Sequence, residues 1–268
     1  MAKVRKLQEK RGWAYSLAIG VVKPLLLAVT RREWSGGENV PATGGCVIAV
    51  NHVSHVDPLT LAHFLLDHGR LVRYLTKDAL WKVPLFDRVL DDTRMIPVSR
   101  QSTDAAHAFE AAVAAVQRGE CIGVYVEGTI TKDPDGWPMR GKTGAARIAL
   151  ATGCPVIPVG QWGAQQLLPA YSARPHLFPP VKVRYKAGDP VDLEDLRGKP
   201  LTNEVLHEAT ERIMAAITAL VEDLRGEHAP RERFDPRKMG LREIGNPNKP
   251  GKDAPGKNAS DGRKRRRD

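Results

Sequence analysis

The chain has 268 residues, 42% hydrophobic and 27% charged, with a formal net charge of +10. That composition belongs to an ordinary globular protein, long enough for one large α/β domain with a real core. The charge is uneven: residues 1–12 carry five basic side chains against Glu9, and residues 226–268 carry thirteen basic against seven acidic, so the body between them is near neutral. A neutral body lacks the basic stripe of a nucleic-acid footprint, and the scattered Cys46, Cys121 and Cys154 speak against a disulfide framework or a zinc site.

Trp13 to Thr30 is mostly apolar, has basic residues before it and Arg31-Arg32 after it, and is interrupted by Lys23-Pro24. It is shorter than the roughly 20 apolar residues a spanning helix needs. It lacks an Ala-x-Ala cleavage site, which argues against a secretory signal. The expectation is a broken amphipathic segment lying in a membrane interface, with Trp13 and Tyr15 at headgroup level; a helix packed on the body is the alternative.

From Cys46 onward, apolar runs alternate with helical patterns. Strands are expected at Cys46–Val50, Leu71–Thr76, Met95–Val98, Cys121–Val126, Pro155–Val159 and Val181–Lys186. Helices are expected at Leu59–Leu66, at Ser102–Arg118 up to Gly119, at Thr143–Thr152 up to Gly153, and from the Thr202 cap to about Leu224 before Gly226. The pattern predicts an α/β fold: a single domain with a mixed, largely parallel sheet flanked by helices, plus an N-terminal membrane-associated helical segment. The expected division is 1–35 for that segment, 36–226 for the α/β domain and 227–268 for a disordered basic tail. Ligand sites in such sheets lie past the carboxyl ends of strands, which points to the loops after Val50, Val98, Val126 and Val159.

The first of these loops reads Asn51-His52-Val-Ser54-His55-Val-Asp57. On one straight helix, positions 52 and 57 would point about 140° apart. They can meet if His52 sits in the loop and Asp57 in the first turn of the next helix. The carboxylate would then hold one ring nitrogen and leave the other as a base. A bare His-x4-Asp is also what a polar capping turn looks like, and His55 is a competing imidazole. The second loop ends in Ser99-Arg100, where a guanidinium could clamp phosphate. The third, Glu127-Gly128-Thr129, puts a carboxylate and a hydroxyl around a glycine after the most apolar strand. Backbone N–H groups near Gly128 are candidate oxyanion donors. Arg140-Gly-Lys142-Thr-Gly144 opens a helix and could bind phosphate, without the full nucleotide P-loop pattern.

Asn51-His52-x-Ser54-x-x-Asp57, Ile96-Pro-Val-x-Arg100, Glu127-Gly128-Thr129 and Val156-Ile-Pro-Val resemble the four ordered motifs of the glycerolipid acyltransferase family, the family of the 1-acylglycerol-3-phosphate O-acyltransferases. The resemblance covers roughly residues 40–190. It implies an αβ core with a helical membrane-binding element, and an O-acyltransferase reaction with no metal and no cofactor beyond the thioester co-substrate, acyl-CoA or acyl carrier protein. It implies a His52/Asp57 dyad, with Arg100, Glu127, Gly128 and Thr129 holding the acceptor; Asn51, Ser54 and Lys142 are further candidates for substrate binding. Val126 and Ile130 depart from the family's Phe-Pro-Glu-Gly-Thr-Arg, and Arg94 stands where a glycine is usual. Without an arginine at 130, Arg94, Lys132, Arg140 or Lys142 would have to supply the headgroup charge, or the acceptor is another lysolipid or a glycolipid.

In the expected mechanism Asp57 orients His52, which takes the proton of the acceptor hydroxyl as that oxygen attacks the thioester. A Ser54 acyl-enzyme is a variant. A hydrolase and a non-enzymatic membrane adaptor working through basic termini are the rival functions; the sequence has no Gly-x-Ser-x-Gly elbow. The expected partners are a lysolipid acceptor, the acyl thioester and an anionic membrane surface, with no nucleic acid. The expected location is the cytoplasmic face of the cell membrane, peripheral or monotopic.

Overall fold

The computed structural model describes residues 4–98, 102–242 and 245–246. The apolar runs form strands β2 (Cys46–Val50), β3 (Val72–Lys77), β4 (Ile96–Val98), β5 (Cys121–Tyr125), β6 (Val156–Trp162) and β7 (Val181–Ala187). A seventh strand, β1 (Thr30–Ser35), lies at one edge, giving the order β1-β7-β6-β2-β5-β3-β4. Strands β6, β2, β5, β3 and β4 run parallel, as does β1 with β7, and β6 meets β7 antiparallel. All five residues of β2 are fully buried, because it is paired on both edges and covered on both faces. Residues 30–35, grouped by the sequence reading with the N-terminal segment, are therefore part of the sheet. Their polar Thr-Arg-Arg-Glu-Trp-Ser run suits an edge strand, where Thr30 is buried, Trp34 packs against the core and the residues between them are exposed.

Helices cover both faces. Helices α4 (Ser102–Gln117), α5 (Gly144–Thr152) and α7 (Asn203–Arg225) enclose one core, which includes Val47, Ala112, Ile122, Ala146, Ile213 and Ile217. On the other face α2 (Asp57–Asp67) presses Leu61, Phe64 and Leu65 against Ile48, Val50, Val72 and Tyr185. Helix α7 shows why its sequence reads so clearly: Thr202 Oγ1 accepts from Val205 N–H at one end, and Gly226 ends the helix at φ +69°. Two short helices escaped the pattern, α3 (Phe86–Asp92) and α6 (Ala164–Leu167).

The N-terminal helix α1 (Trp13–Val29) is continuous; Pro24 sits inside it. The proline removes the N–H that would bond the Gly20 carbonyl, and both residues are on the exposed side, where water can serve that carbonyl. Only Ala14, Leu26 and Val29 of α1 are buried, while Trp13, Leu17, Val21 and Leu25 are each more than half exposed. Among the described residues no helix is long and apolar enough to cross a membrane. The basic residues before α1 are partly consumed by the fold. Arg5 donates to the carbonyl of Val40 at 2.8 Å, and Glu9 pairs with the fully buried Arg70 and with Arg73. Residues 227–242, which carry no periodicity, lie against α7 as a strap: Glu222 accepts from Ala229 N–H, and Arg233 pairs with Glu211.

Candidate active site

The site is built at the carboxyl end of the central strand. β2 ends at Val50, and the chain leaves the sheet at Asn51-His52 and re-enters regular structure at Asp57, the first residue of α2. The loop is short enough to bring positions 52 and 57 together. His52 Nδ1 lies 2.7 Å from Asp57 Oδ2. The same oxygen accepts the backbone N–H of Val53 at 2.7 Å and of Ser54 at 2.9 Å. These three donors converge on one atom of a carboxylate that is 0% exposed, while Oδ1 has no hydrogen-bond partner. The carboxylate position is thus fixed by backbone, and the imidazole is fixed by the carboxylate. His52 is 15% exposed at its side chain. Its Nε2 makes no hydrogen bond among the described residues and is the nitrogen left for chemistry.

The imidazole is held from a second side. Tyr125, the last residue of β5, stacks on it with ring centroids 4.1 Å apart and planes 26° from parallel. Tyr74 stacks behind Tyr125 at 6.0 Å. The sequence reading passed over Tyr125, although it occupies the Phe position of the third motif and that aromatic place was the available signal. Burial pushes its phenol well above the usual range, so it stays a neutral platform.

Glu127 does not face solvent. It is 1% exposed, and its two carboxylate oxygens accept the N–H of His52 at 2.8 Å and of Met139 at 2.9 Å. Burial pushes its acid up to about 8 despite those two donors. The residue joins the His52 loop to the segment that leads into α5. Gly128 turns the chain at φ +71°, and its N–H donates to Tyr125 O at 2.8 Å. That N–H, an oxyanion candidate by sequence, is therefore engaged within its own turn. Thr131 N–H donates to His52 O and closes the loop pair.

Asn51 and Ser54 are turned inward. Asn51 exchanges hydrogen bonds with Gln161 at the end of β6: Gln161 N–H donates to Oδ1 at 2.9 Å, Asn51 Nδ2 donates to Gln161 O, and Gln161 Nε2 donates to Asn51 O. Gln161 also accepts from the Tyr185 hydroxyl, which ties this clamp to β7. Gln161 is a second residue the sequence did not single out. Ser54 Oγ donates to Leu168 O at 2.6 Å and is 0% exposed, a poor position for a nucleophile. His55 is exposed, and its ring packs edge-on to Tyr171.

Of the cations proposed for a headgroup, Arg94 pairs with Glu120, which precedes β5 and so lies at the far end of the sheet. Lys132 is buried. Arg140 and Lys142 line a cavity of about 250 Å³ together with Glu127, Met139, Gly141, Thr143, Asp235, Pro236 and Arg237. Lys142 runs alongside Gly128: a Cβ there would come within 3.1 Å of its Cδ. The structure thus brings together His52, Asp57, Glu127, Gly128 and Lys142, with Thr129 in the turn between them. Arg100 lies outside the described residues, as does the basic cluster at 263–267.

A family model described as "Acyltransferase" matches residues 31–162, the stretch from β1 to the end of β6. A protein of Borreliella burgdorferi named 1-acyl-sn-glycerol-3-phosphate acyltransferase is 32% identical over 126 residues, 47% of this chain and 48% of that one. One of the same name from Bacillus subtilis is 27% identical over 183 residues, 68% of this chain and 84% of that one. The chain therefore spans about half the length of the first relative and most of the second. The crystal structure of the 1-acyl-sn-glycerophosphate acyltransferase PlsC from Thermotoga maritima superposes with a TM-score of 0.59 at 22% identity, over 81% of each chain, a likeness of fold. With the dyad in place at the end of the central strand, residues 31–162 match the acyltransferase family, and the chain is similar to the 1-acyl-sn-glycerol-3-phosphate acyltransferases.

Proposed function

We propose that the protein is an O-acyltransferase that moves a fatty acyl group from a thioester, acyl-CoA or acyl carrier protein, to the hydroxyl of a lysophospholipid such as 1-acyl-glycerol-3-phosphate. The observation that carries this reading is the 2.7 Å contact between His52 Nδ1 and Asp57 Oδ2, which leaves Nε2 of a partly exposed ring without a hydrogen bond among the described residues. Nε2 takes the acceptor's hydroxyl proton while that oxygen attacks the thioester carbonyl. The new C–O bond forms, the C–S bond breaks, and the proton passes from the imidazolium to the departing thiolate. General-base assistance of this kind is worth about 10²- to 10⁴-fold. The Borreliella and Bacillus relatives, both named for 1-acyl-sn-glycerol-3-phosphate, support the acceptor class.

We place the reaction at an anionic membrane surface on the cytoplasmic side. The apolar stripe Trp13, Leu17, Val21 and Leu25 on α1 supports the membrane contact, because successive members lie four residues apart and so share one helix face. Helix α1 would lie in the interface, since its 17 residues reach only about 26 Å against a hydrocarbon core of about 30 Å. The test is an assay of the purified full chain with labelled acyl-CoA or acyl carrier protein against a set of lysolipids in anionic vesicles. Transfer to a lysophospholipid is the expected result. Release of free fatty acid without acceptor, or transfer to none of the lysolipids, would overturn the reading.

A further inference from the structure

The third motif of this chain lacks its usual arginine, and the residue in that place, Ile130, is 2% exposed in the core. The structure carries cationic charge to the same neighbourhood by another route. The strap after α7 crosses back over the body and is pinned there: Arg140 N–H donates to Phe234 O at 2.9 Å, and Arg140 Nη1 pairs with Asp235 Oδ2 at 3.2 Å. Pro236 is buried, and Asp235 Oδ1 accepts Arg237 N–H at 2.9 Å, so the backbone at 235–237 is held rather than free. This strap closes one wall of the 250 Å³ cavity whose other walls are Met139 to Thr143 and whose base is Glu127. The carboxyl at that base also holds the N–H of His52. Glu127 thus both lines the cavity and holds the catalytic loop.

Three of the lining side chains are cations, Arg140, Lys142 and Arg237, and two are acids, Asp235 and Glu127. Asp235 is already paired with Arg140. Burial keeps Glu127 largely protonated near neutral pH, so the base of the cavity does not repel an anion. The volume lies below the roughly 300–1,000 Å³ of drug-sized sites, and so suits a headgroup and not an acyl chain. We infer that Arg237, brought in by the C-terminal strap, joins Lys142 and Arg140 in binding a phosphate monoester, and so selects a phosphate-bearing acceptor in place of the arginine that Ile130 displaces. A guanidinium can meet phosphate oxygens through two parallel N–H donors, which a lone lysine cannot.

This inference rests on the acyltransferase reading, so its test has two arms. In the first, kcat/KM of the full chain on vesicles is compared for 1-acylglycerol-3-phosphate and for uncharged monoacylglycerol. Arg237→Ala is expected to lower the ratio of the two about 10- to 100-fold, the usual worth of a hydrogen bond to a charged group, mostly through KM for the phosphate acceptor. Arg237→Lys is expected to recover part of it. In the second, calorimetry measures glycerol 3-phosphate binding to the wild type and to Arg237→Ala, with no turnover involved. Binding that weakens by the same factor upholds the site even if no acceptor is acylated, an outcome that would sink only the acyltransferase reading. An unchanged acceptor ratio, an equal fall with both acceptors, or glycerol 3-phosphate affinity indifferent to residue 237 would overturn the assignment.

Discussion

Asp57→Asn is the substitution whose outcome the geometry defines most tightly. Asp57 Oδ2 accepts from His52 Nδ1 and from two backbone N–H groups, whereas Oδ1 is buried and unpartnered. The two backbone donors cannot face an amide nitrogen, so asparagine must place its oxygen where Oδ2 was and its NH2 in the empty position. The imidazole then keeps its orientation and its tautomer but loses the negative charge that stabilises the imidazolium during proton transfer. Hydrogen bonds to charged groups are worth about 1.5–3 kcal/mol, against about 0.5–1.5 for neutral ones. The difference, about 1–1.5 kcal/mol, corresponds to a loss of about 5- to 13-fold in kcat, short of the 10²- to 10⁴-fold expected for removal of the base. The buried NH2, with no acceptor, should also cost about 1–3 kcal/mol of stability. Asp57→Ala strands the imidazole and both backbone donors, and should approach the loss seen on removing His52. Single-turnover acyl transfer on vesicles reads the first quantity, and urea unfolding reads the second. A rate for Asp57→Asn within twofold of wild type would refute the role of the charge. A loss as complete as that of Asp57→Ala would refute the orientation argument.

Two further predictions follow from other parts of the molecule. Because burial raises Glu127 to about 8 in the folded protein against an ordinary value of 4.5, the native state holds a proton that the unfolded chain releases. Stability should therefore fall as pH rises from about 4.5 to 8, by a few kcal/mol at most, and Glu127→Gln should flatten that slope in denaturant melts at pH 5.5 and 8. The glutamine can accept only one of the two N–H groups from His52 and Met139, so activity should also drop. If the pH slope persists in Glu127→Gln, some other group owns it. On α1, Leu17→Glu with Val21→Glu places two carboxylates on the exposed stripe. Vesicle affinity, read by sedimentation, should weaken more than 10-fold, with the fold retained by circular dichroism because both side chains are more than half exposed. Unchanged vesicle binding would remove α1 from the membrane contact.

Much of the sheet was readable because its signals are local. Cys46–Val50 and Cys121–Tyr125 are short apolar runs bounded by turns, and α7 has a cap, a period and a stop. The dyad was readable for the same reason: five positions across a strand end and a helix start fix a distance almost without reference to the rest of the chain. What failed were features decided at long range. Thr30–Ser35 has no apolar run, and only its pairing with Val181–Lys186 makes it a strand. Asn51 reads as a polar loop residue until Gln161, 110 positions away, takes its amide. A glutamate before a glycine reads equally as solvent-facing, as substrate-facing or as a staple. The converging N–H groups of His52 and Met139 decide for the staple, and they come from two different loops. The strap at 227–242 has no period because it follows the surface of α7, and its composition alone resembles that of a disordered tail.

The claim on which the rest depends is that the imidazole at position 52 takes the acceptor's proton, and the most direct test is single-turnover acyl transfer by His52→Ala beside wild type at saturating acceptor. The account predicts a fall of 10²- to 10⁴-fold in the chemical step, with lysolipid and vesicle binding within about twofold of wild type. A His52→Ala protein that folds, binds acceptor and still transfers the acyl group at the wild-type rate would contradict it.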